Sequence, residues 1–365
     1  MEMDNILTTN IHDLFMSRAT ELAKQGRGYV SPNPMVGCVL VRDGDIIGEG
    51  YHEKFGGPHA EIMALRNARK DPLDSTAYIN LEPCCITGKT PPCSTALIEN
   101  GISEVYVGVL DPNPDVNGKG IEALEKAGIM VHVGILAEEA KRLNQSFNKW
   151  ITQGMPWVIA KVAQSADGYM GINSETSIWL TGDISRTHAH TLRSEVDAVL
   201  IGRQTALIDD PSLTVREVRG ENPKRVIMDT NRTLPLTLKI FNDKKADTYV
   251  LCSDKRFTQT QTHFCNYLPV KEENKKLSPV DALKTLAKEG ISSVLIEGGQ
   301  EILKSFIEAG VIDQIFIYTA PGKLDNAHLK NPIQLSEEWS VLEQENLGED
   351  TLIIAEKGVE CLQEL

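Results

Sequence analysis

At 365 residues, with 41% hydrophobic and 24% charged residues, the chain has the composition of a soluble globular protein and the length for two cores. Its 51 acidic against 37 basic residues give a formal net charge of -14, which disfavours a phosphate-backbone partner such as tRNA or DNA. No stretch approaches a membrane span, the acidic Met1–Asn5 is not followed by an apolar run that would signal export, and seven cysteines fit a reducing cytoplasm better than a disulfide framework.

The first expected element is a helix from His12 to Gln25, because Leu14, Phe15, Ala19, Leu22 and Ala23 recur at helical spacing and Gly26 ends the pattern. Residues 36–41 and 46–50 flank Asp43-Gly44 as a hairpin, whose turn needs backbone conformations that glycine tolerates. Helix 59–70, strand 76–81, a helix entered near Cys93, strand 104–110, helix 118–127 and strand 129–135 follow as a βα alternation. A last helix, Ala137 to Ile151, stops at Gln153-Gly154-Met155-Pro156, where we place the boundary between domains 1–152 and 153–365.

The first half carries its chemistry in Pro58-His59-Ala60-Glu61, Leu81-Glu82-Pro83-Cys84 and Cys93. One imidazole and two thiolates are donors that zinc prefers, and three protein ligands leave a fourth tetrahedral position for water, the mark of a catalytic site. Glu61 is placed to carry protons between that water and a leaving group. His59 and Glu61 alone would be an ordinary helix start; with Cys84 and Cys93 in register they match the pattern of zinc nucleobase deaminases. In a layered α/β domain these residues converge at one end of the sheet, where such folds bind substrates.

In the second half Trp157–Ala163 reads as a buried strand and Gln164–Gly168 as a turn. Strands are expected at 196–201, 225–229, 248–252, 293–296 and 314–319, and helices near 183–194, 279–289 and 300–309, which make a second layered α/β unit. No Gly-x-Gly-x-x-Gly follows the first strand, so a Rossmann dinucleotide fold is disfavoured. Glu297-Gly298-Gly299 either presents backbone N–H groups to a phosphate or is only a connection, and Asp209-Asp210-Pro211 is either a site or a polar turn. Residues 321–349 read as an acidic, loop-rich edge.

Eight residues separate Cys84 from Cys93, and they include Gly88-Lys89-Thr90-Pro91-Pro92. That form resembles the deaminase half of the bifunctional riboflavin-biosynthesis deaminase/reductases. Ala163–Gly168, Ser177–Gly182, Leu200–Thr205, Asp209–Arg216 and Ile296–Gly299 look like successive blocks of the same family's reductase domain, which is similar to dihydrofolate reductase and uses NADPH. The resemblance implies a cytidine-deaminase-like α/β/α domain with a zinc site, followed by a dihydrofolate-reductase-like α/β domain. It also implies that Asn33 and His52 hold the pyrimidine and that Lys89 approaches the substrate phosphate. Relatives commonly carry Ser-His after the first zinc cysteine; here Cys85-Ile86 removes a polar side chain.

Carried over in the same way, Ala163, Trp179, Thr205, Asp209, Gly298 and Gly299 match cofactor positions. Ser177, Arg193, Leu213, Arg216 and Glu297 match substrate positions, with Lys161 a further candidate on that side. Arg193 and Arg216 offer the bidentate donors that suit a phosphate. The implied activity is removal of an amino group from a phosphoribosylamino-diaminopyrimidinone as ammonia, then NADPH-dependent reduction of ribosyl to ribityl, in a cytoplasmic homodimer. Glu297 and Asp209 both stay open as the acid in ring opening. A tRNA or cytidine-type deaminase with an appended domain is disfavoured by the charge and by the blocks of the second half. A degenerate deaminase whose zinc is structural and whose second domain merely binds a nucleotide is disfavoured by the complete His/Glu/Cys/Cys set.

Overall fold

In the computed structural model, which describes residues 10–86, 91–172, 178–258 and 265–358, the chain divides into two compact units, Met1–Gln153 and Gly154–Leu365. Lys89 and Ser177 lie outside the described residues. The first unit runs α1 (Ile11–Lys24), β1 (Gly37–Arg42), β2 (Asp45–Tyr51), α2 (Ala60–Arg66), β3 (Thr76–Leu81), α3 (Cys93–Glu99), β4 (Glu104–Val109), α4 (Lys119–Lys126), β5 (Met130–Val133), α5 (Ala137–Leu143) and α6 (Gln145–Gln153). Its sheet has the order β2-β1-β3-β4-β5, antiparallel between β2, β1 and β3 and parallel from β3 to β5.

Strands β3 and β4 are apolar on both faces because helices cover both. Met16, Ala19 and Leu22 of α1 pack with Tyr78 and Tyr106 on one side. Ala64, Leu97 and Leu124 of α2, α3 and α4 pack with Leu40, Ile79 and Val107 on the other. Two glycines let helices lie directly on strand backbone. A Cβ at Gly37 would be 2.0 Å from the Ala19 carbonyl oxygen, and one at Gly50 2.3 Å from the Ala64 nitrogen.

Two expectations for this unit need correction. The helix expected over 59–70 stops at Arg66, because the Arg69 N–H donates to the Ile47 carbonyl (2.7 Å) and draws the chain onto β2. The single helix expected from Ala137 is broken at Asn144, whose buried side chain serves another segment: Oδ1 accepts from the Met35 N–H (2.7 Å) and Nδ2 donates to the Met35 carbonyl (2.9 Å). Asn80 of β3 adds a bond to each side, accepting from the Gly37 N–H and donating to the Met35 carbonyl. The stretch that enters β1 is thereby fixed by two buried amides.

The second unit runs β6 (Trp157–Gln164), β7 (Tyr169–Gly171), α7 (Asp183–Glu195), β8 (Ala198–Gly202), α8 (Arg203–Asp209), β9 (Lys224–Met228), α9 (Lys239–Asn242), β10 (Thr248–Ser253), β11 (Asn266–Val270), β12 (Glu272–Glu273) and β13 (Lys276–Leu277). It continues with α10 (Pro279–Lys288), β14 (Ser293–Ile296), α11 (Gln300–Glu308), β15 (Gln314–Thr319), β16 (Leu329–Lys330), β17 (Trp339–Leu347) and β18 (Asp350–Lys357). Nine strands form one sheet in the order β11-β10-β9-β8-β14-β6-β15-β18-β17, parallel from β11 to β15 and closed by an antiparallel hairpin.

Helices α10 and α11 bury Leu283, Leu286, Leu303 and Phe306 on one face, while α7, α8 and α9 bury Leu192, Ala206 and Phe241 on the other. The loop-rich reading of 321–349 is wrong for 339–347. That segment is β17, an edge strand mostly exposed on both faces, with a bulge between Val341 and Glu343 that spoils the alternation of a strand. Among the described residues no helix is long and apolar enough to cross a membrane.

Candidate active sites

In the first unit the end of β2, the start of α2, the end of β3 and the start of α3 meet. His59 caps α2 from an extended backbone (φ -75°, ψ 165°), so its ring is not bound to the face that Glu61 occupies inside the helix. Its Nδ1 lies 3.6 Å from Cys84 Sγ and 3.3 Å from Cys93 Sγ, and the three donor atoms all fall within 4.8 Å of one another. The Cys93 N–H donates to Cys84 Sγ (3.3 Å), as expected for a sulfur with thiolate character at a helix start. Cys84 is drawn down to about 4, chiefly by the hydrogen bond from Cys93, whose own thiol that same bond and burial push up.

Glu61 is buried, with 3% exposure. Burial first, and then the neighbouring Cys84 charge, push its carboxyl up to about 7. Its Oε2 has no hydrogen-bond partner among the described residues. An acid that gains and loses a proton near neutrality, with an oxygen aimed at nothing in the protein, suits transfer to and from a small reactant. The adjoining cleft, of about 180 Å³, is lined by Asn33, His52, His59, Glu61, Cys84 and Asp111, among others. His52 donates from Nδ1 to the Pro58 carbonyl (3.0 Å), which leaves Nε2 to accept from Asn33 Nδ2 (3.2 Å). Burial holds this imidazole below its ordinary range, and so neutral.

In the second unit Arg193 of α7 and Glu297, just past β14, form a bidentate pair with both N–O distances 2.7 Å and side chains 14% and 11% exposed. Burial would raise the Glu297 carboxyl; the Arg193 charge overcomes it and holds the group at about 2. Lys161 of β6 is pushed down by burial and feels both members of the pair. Thr205 of α8 meets Gly299, the cap of α11: a Cβ at Gly299 would be 3.5 Å from Thr205 Oγ1, and one at Gly298 2.8 Å from Ile302. Gly298 leaves no room for a side chain unless Ile302 moves, whereas a Cβ at Gly299 would be in ordinary contact with Thr205.

Residues 9–109 match the family described as the cytidine and deoxycytidylate deaminase zinc-binding region, and residues 156–353 match the family described as the RibD C-terminal domain. Riboflavin biosynthesis protein RibD of Aquifex aeolicus is 40% identical over 351 residues, covering 93% of this chain and 96% of that one. The crystal structure of a diaminohydroxyphosphoribosylaminopyrimidine deaminase/5-amino-6-(5-phosphoribosylamino)uracil reductase from Thermotoga maritima superposes with a TM-score of 0.85 at 35% identity, covering 95% of this chain and 99% of its own. A structure of Acinetobacter baumannii RibD gives 0.85 at 36%, covering 96% and 99%.

This chain belongs to the RibD family. It is a bifunctional riboflavin-biosynthesis enzyme with an N-terminal deaminase half and a C-terminal reductase half.

For a RibD protein, several residues at these sites carry no signal in the sequence. Glu82, quoted above only as a neighbour of Cys84, is 3% exposed and accepts from the backbone N–H of Asp111, Gly118, Gly120 and Ile121 at 3.2, 2.9, 2.9 and 3.4 Å. It therefore fixes the loop that brings Asp111 and Asn113 to the cleft. Burial pushes the Asp111 carboxyl up to about 6. Cys85 donates to the Asp115 carbonyl (3.9 Å) and is not in the three-residue donor cluster. On α7, His190 Nδ1 accepts from the Arg216 N–H (3.2 Å) and His188 shares a 2.6 Å hydrogen bond with the buried Tyr318 hydroxyl.

Other residues carried over from the resemblance are placed differently. Arg193 is committed to Glu297, whereas Arg216 is exposed, with Nη1 on Thr214 Oγ1 (3.3 Å), so the two do not form a free pair of anion donors. Leu213 is buried in a left-handed conformation (φ 51°) behind the Asp209-Asp210-Pro211 turn. Trp179 is 78% exposed and lines, with Ser165, Thr181 and Ala320, a cleft of about 610 Å³. Ala163 pairs with Tyr318 across β6 and β15 and is not part of that lining.

Proposed function

We propose that residues 1–152 hydrolyse the phosphoribosylated diaminopyrimidinone and that residues 153–365 reduce the deaminated product with NADPH. The observation that carries the first half is the convergence of His59 Nδ1 and two cysteine sulfurs within 4.8 Å, beside the unpartnered Oε2 of Glu61. The donor set fits zinc: one imidazole and two sulfurs, one already of thiolate character, with no fourth protein ligand in the cluster among the described residues. Bound zinc supplies the ionisation of water near neutral pH. Glu61 is placed to carry both protons of the attacking water: as the water oxygen bonds to the ring carbon one proton would go to the ring nitrogen, and the other to the amino group, so that the C–N bond breaks with release of ammonia and a carbonyl beside a ring N–H remains. Its carboxyl, near 7, can both accept and donate in that exchange. Asn33 and the neutral His52 hold the pyrimidine, and Lys89 approaches the phosphate.

In the second half, Thr205, Gly298 and Gly299 support a phosphate cradle at the carboxyl edge of the sheet. With Ala163, Trp179 and Asp209 they complete the proposed cofactor residues; Ser177, Lys161, Arg193, Leu213, Arg216 and Glu297 complete the substrate side. NADPH supplies the hydride, and the chain positions the reactants. Held ionised by Arg193, Glu297 is suited to accept a hydrogen bond and not to give up a proton at neutral pH, which favours Asp209 of the two open acids. The net charge of -14 supports a reading without nucleic acid, and the seven cysteines support the cytoplasm. The homodimer rests on the resemblance alone, and sedimentation as a monomer at micromolar concentration would remove it.

The test treats the two halves separately. Ammonia release should disappear after dialysis against a chelator and return with one equivalent of zinc, while NADPH oxidation with deaminated product should be indifferent to both treatments. Ammonia release that survives loss of all metal would sink the first half, and NADPH left untouched by deaminated product would sink the second.

A further inference from the structure

A dinucleotide held at Gly298, Gly299 and Thr205 has its diphosphate near the carboxyl ends of β14 and β8, and the next strand in the sheet is β9. What β9 and α8 present there decides which dinucleotide is accepted. An acidic acceptor in this kind of place favours a ribose 2′-hydroxyl, and an arginine favours a 2′-phosphate.

The acidic residue just past β9 is Asp229, but it is turned inward. It is 1% exposed, and its Oδ2 is filled by the N–H groups of Thr233 (2.6 Å) and Leu234 (2.8 Å). Its Oδ1 accepts from Thr233 Oγ1 (3.5 Å), so the buried carboxylate is engaged by its own turn and not presented to a hydroxyl. Arg203, which opens α8 two residues before Thr205, occupies the same place from the other side. Its Nε is pinned by Thr233 Oγ1 at 2.9 Å and lies 3.7 Å from Asp229 Oδ1. The side chain is 43% exposed, and its two Nη groups have no hydrogen-bond partner among the described residues. One edge of the planar guanidinium is thus fixed, and the other is offered to solvent. That is a pre-oriented donor fork for a phosphate.

We infer that Arg203 reads the 2′-phosphate of the cofactor and sets the preference of the reductase half for NADPH over NADH, with Asp229 and Thr233 holding the guanidinium in place. The inference rests on the NADPH reading of the second half. It places discrimination on a residue that matches neither the cofactor nor the substrate positions carried over above.

The test measures binding of adenosine 2′,5′-bisphosphate and of 5′-AMP to the full-length protein by calorimetry, alongside KM for NADPH and NADH. The native protein should prefer the bisphosphate by about 30-fold, the span of one or two charge-assisted hydrogen bonds. Arg203→Leu should bring the two ligands within about threefold, raise KM for NADPH by a similar factor and leave KM for NADH and both kcat values within about twofold. Arg203→Lys, which keeps the charge but not the fork, should fall between. Unchanged AMP binding shows that the site is folded in Arg203→Leu; should AMP binding be lost as well, the lysine variant decides by whether its preference drops or stays. A preference retained in the variant that binds AMP overturns the inference while leaving NADPH oxidation intact. A native protein that oxidises no NADPH with deaminated product overturns the reading beneath it.

Discussion

Gly50→Ala should disable the deaminase half while sparing the reductase half. Gly50 lies in β2 under α2, and a methyl group there would be 2.3 Å from the Ala64 nitrogen, 2.6 Å from the Ala60 carbonyl oxygen and 2.6 Å from Met63 Cβ. Two of these are backbone atoms, so no rotamer change relieves the clash. Ordinary contact begins near 3.4 Å, and 3.4 less 2.3 requires α2 to retreat by about 1 Å. That helix carries Glu61 and is capped by His59. Misplacing a reacting group by about 1 Å costs on the order of 100-fold in rate, and overpacking of this kind costs about 1–3 kcal/mol in stability. The assay is ammonia release from the diaminopyrimidinone, with zinc content measured on the same sample and NADPH oxidation on deaminated product as an internal control. Ammonia release should fall by about 100-fold and NADPH oxidation by less than about twofold. Full ammonia release in a folded variant would refute the claim that strand-to-helix contact at Gly50 sets the position of Glu61. An equal fall in both activities would show a global defect instead.

Glu82→Gln keeps the shape of the side chain but replaces one acceptor oxygen with a donor that faces backbone N–H groups, so the loop bearing Asp111 and Asn113 should loosen. We expect ammonia release to fall about tenfold or more with zinc retained, since each hydrogen bond to a charged acceptor is worth about 1.5–3 kcal/mol; loss of zinc would point to Cys84 instead. Arg193→Met leaves Glu297 as a buried carboxylate and should destabilise the second domain by about 3–5 kcal/mol at pH 7, read as its calorimetric transition. The sign with pH follows from the native carboxyl, held at about 2 against an ordinary 4.5: the pair stabilises above about pH 4.5 and its contribution fades as pH falls towards 2. In the variant, burial raises the same carboxyl, so the deficit should shrink as pH is lowered from 7 to 4; a deficit that widens on acidification would contradict the pairing.

The cluster of His59, Cys84 and Cys93 was legible because metal chemistry restricts both residue type and spacing, and the three lie at element boundaries that hydrophobic periodicity marks well. The strands β4, β8 and β14 were legible for a related reason, since burial on both faces leaves a mostly apolar run. Periodicity could not show that Asn144 abandons its helix to bind Met35, because that choice is made by a partner 109 residues away. It could not show Glu82 as the anchor of a loop for the same reason. Arg193 and Glu297 are 104 residues apart, and only the fold makes them one ion pair. The strand β17 escaped because an edge strand exposed on both faces has no reason to alternate. In the second half the residues alone supported no more than a phosphate-binding turn, and the resemblance, not the spacing, singled out Thr205, Asp209 and Trp179.

The most direct test of two sequential sites follows ammonia and NADPH absorbance in one cuvette, for the native protein and for Glu61→Gln, with zinc content checked in both. The native protein should release ammonia from the phosphoribosylated diaminopyrimidinone and then consume NADPH after a lag. Glu61→Gln should keep its zinc, lose ammonia release by at least about 100-fold, and consume NADPH at the native rate once deaminated product is supplied. If the variant still releases ammonia at the native rate, Glu61 is not the proton carrier; if NADPH stays untouched when deaminated product is given, the account of the second domain is wrong.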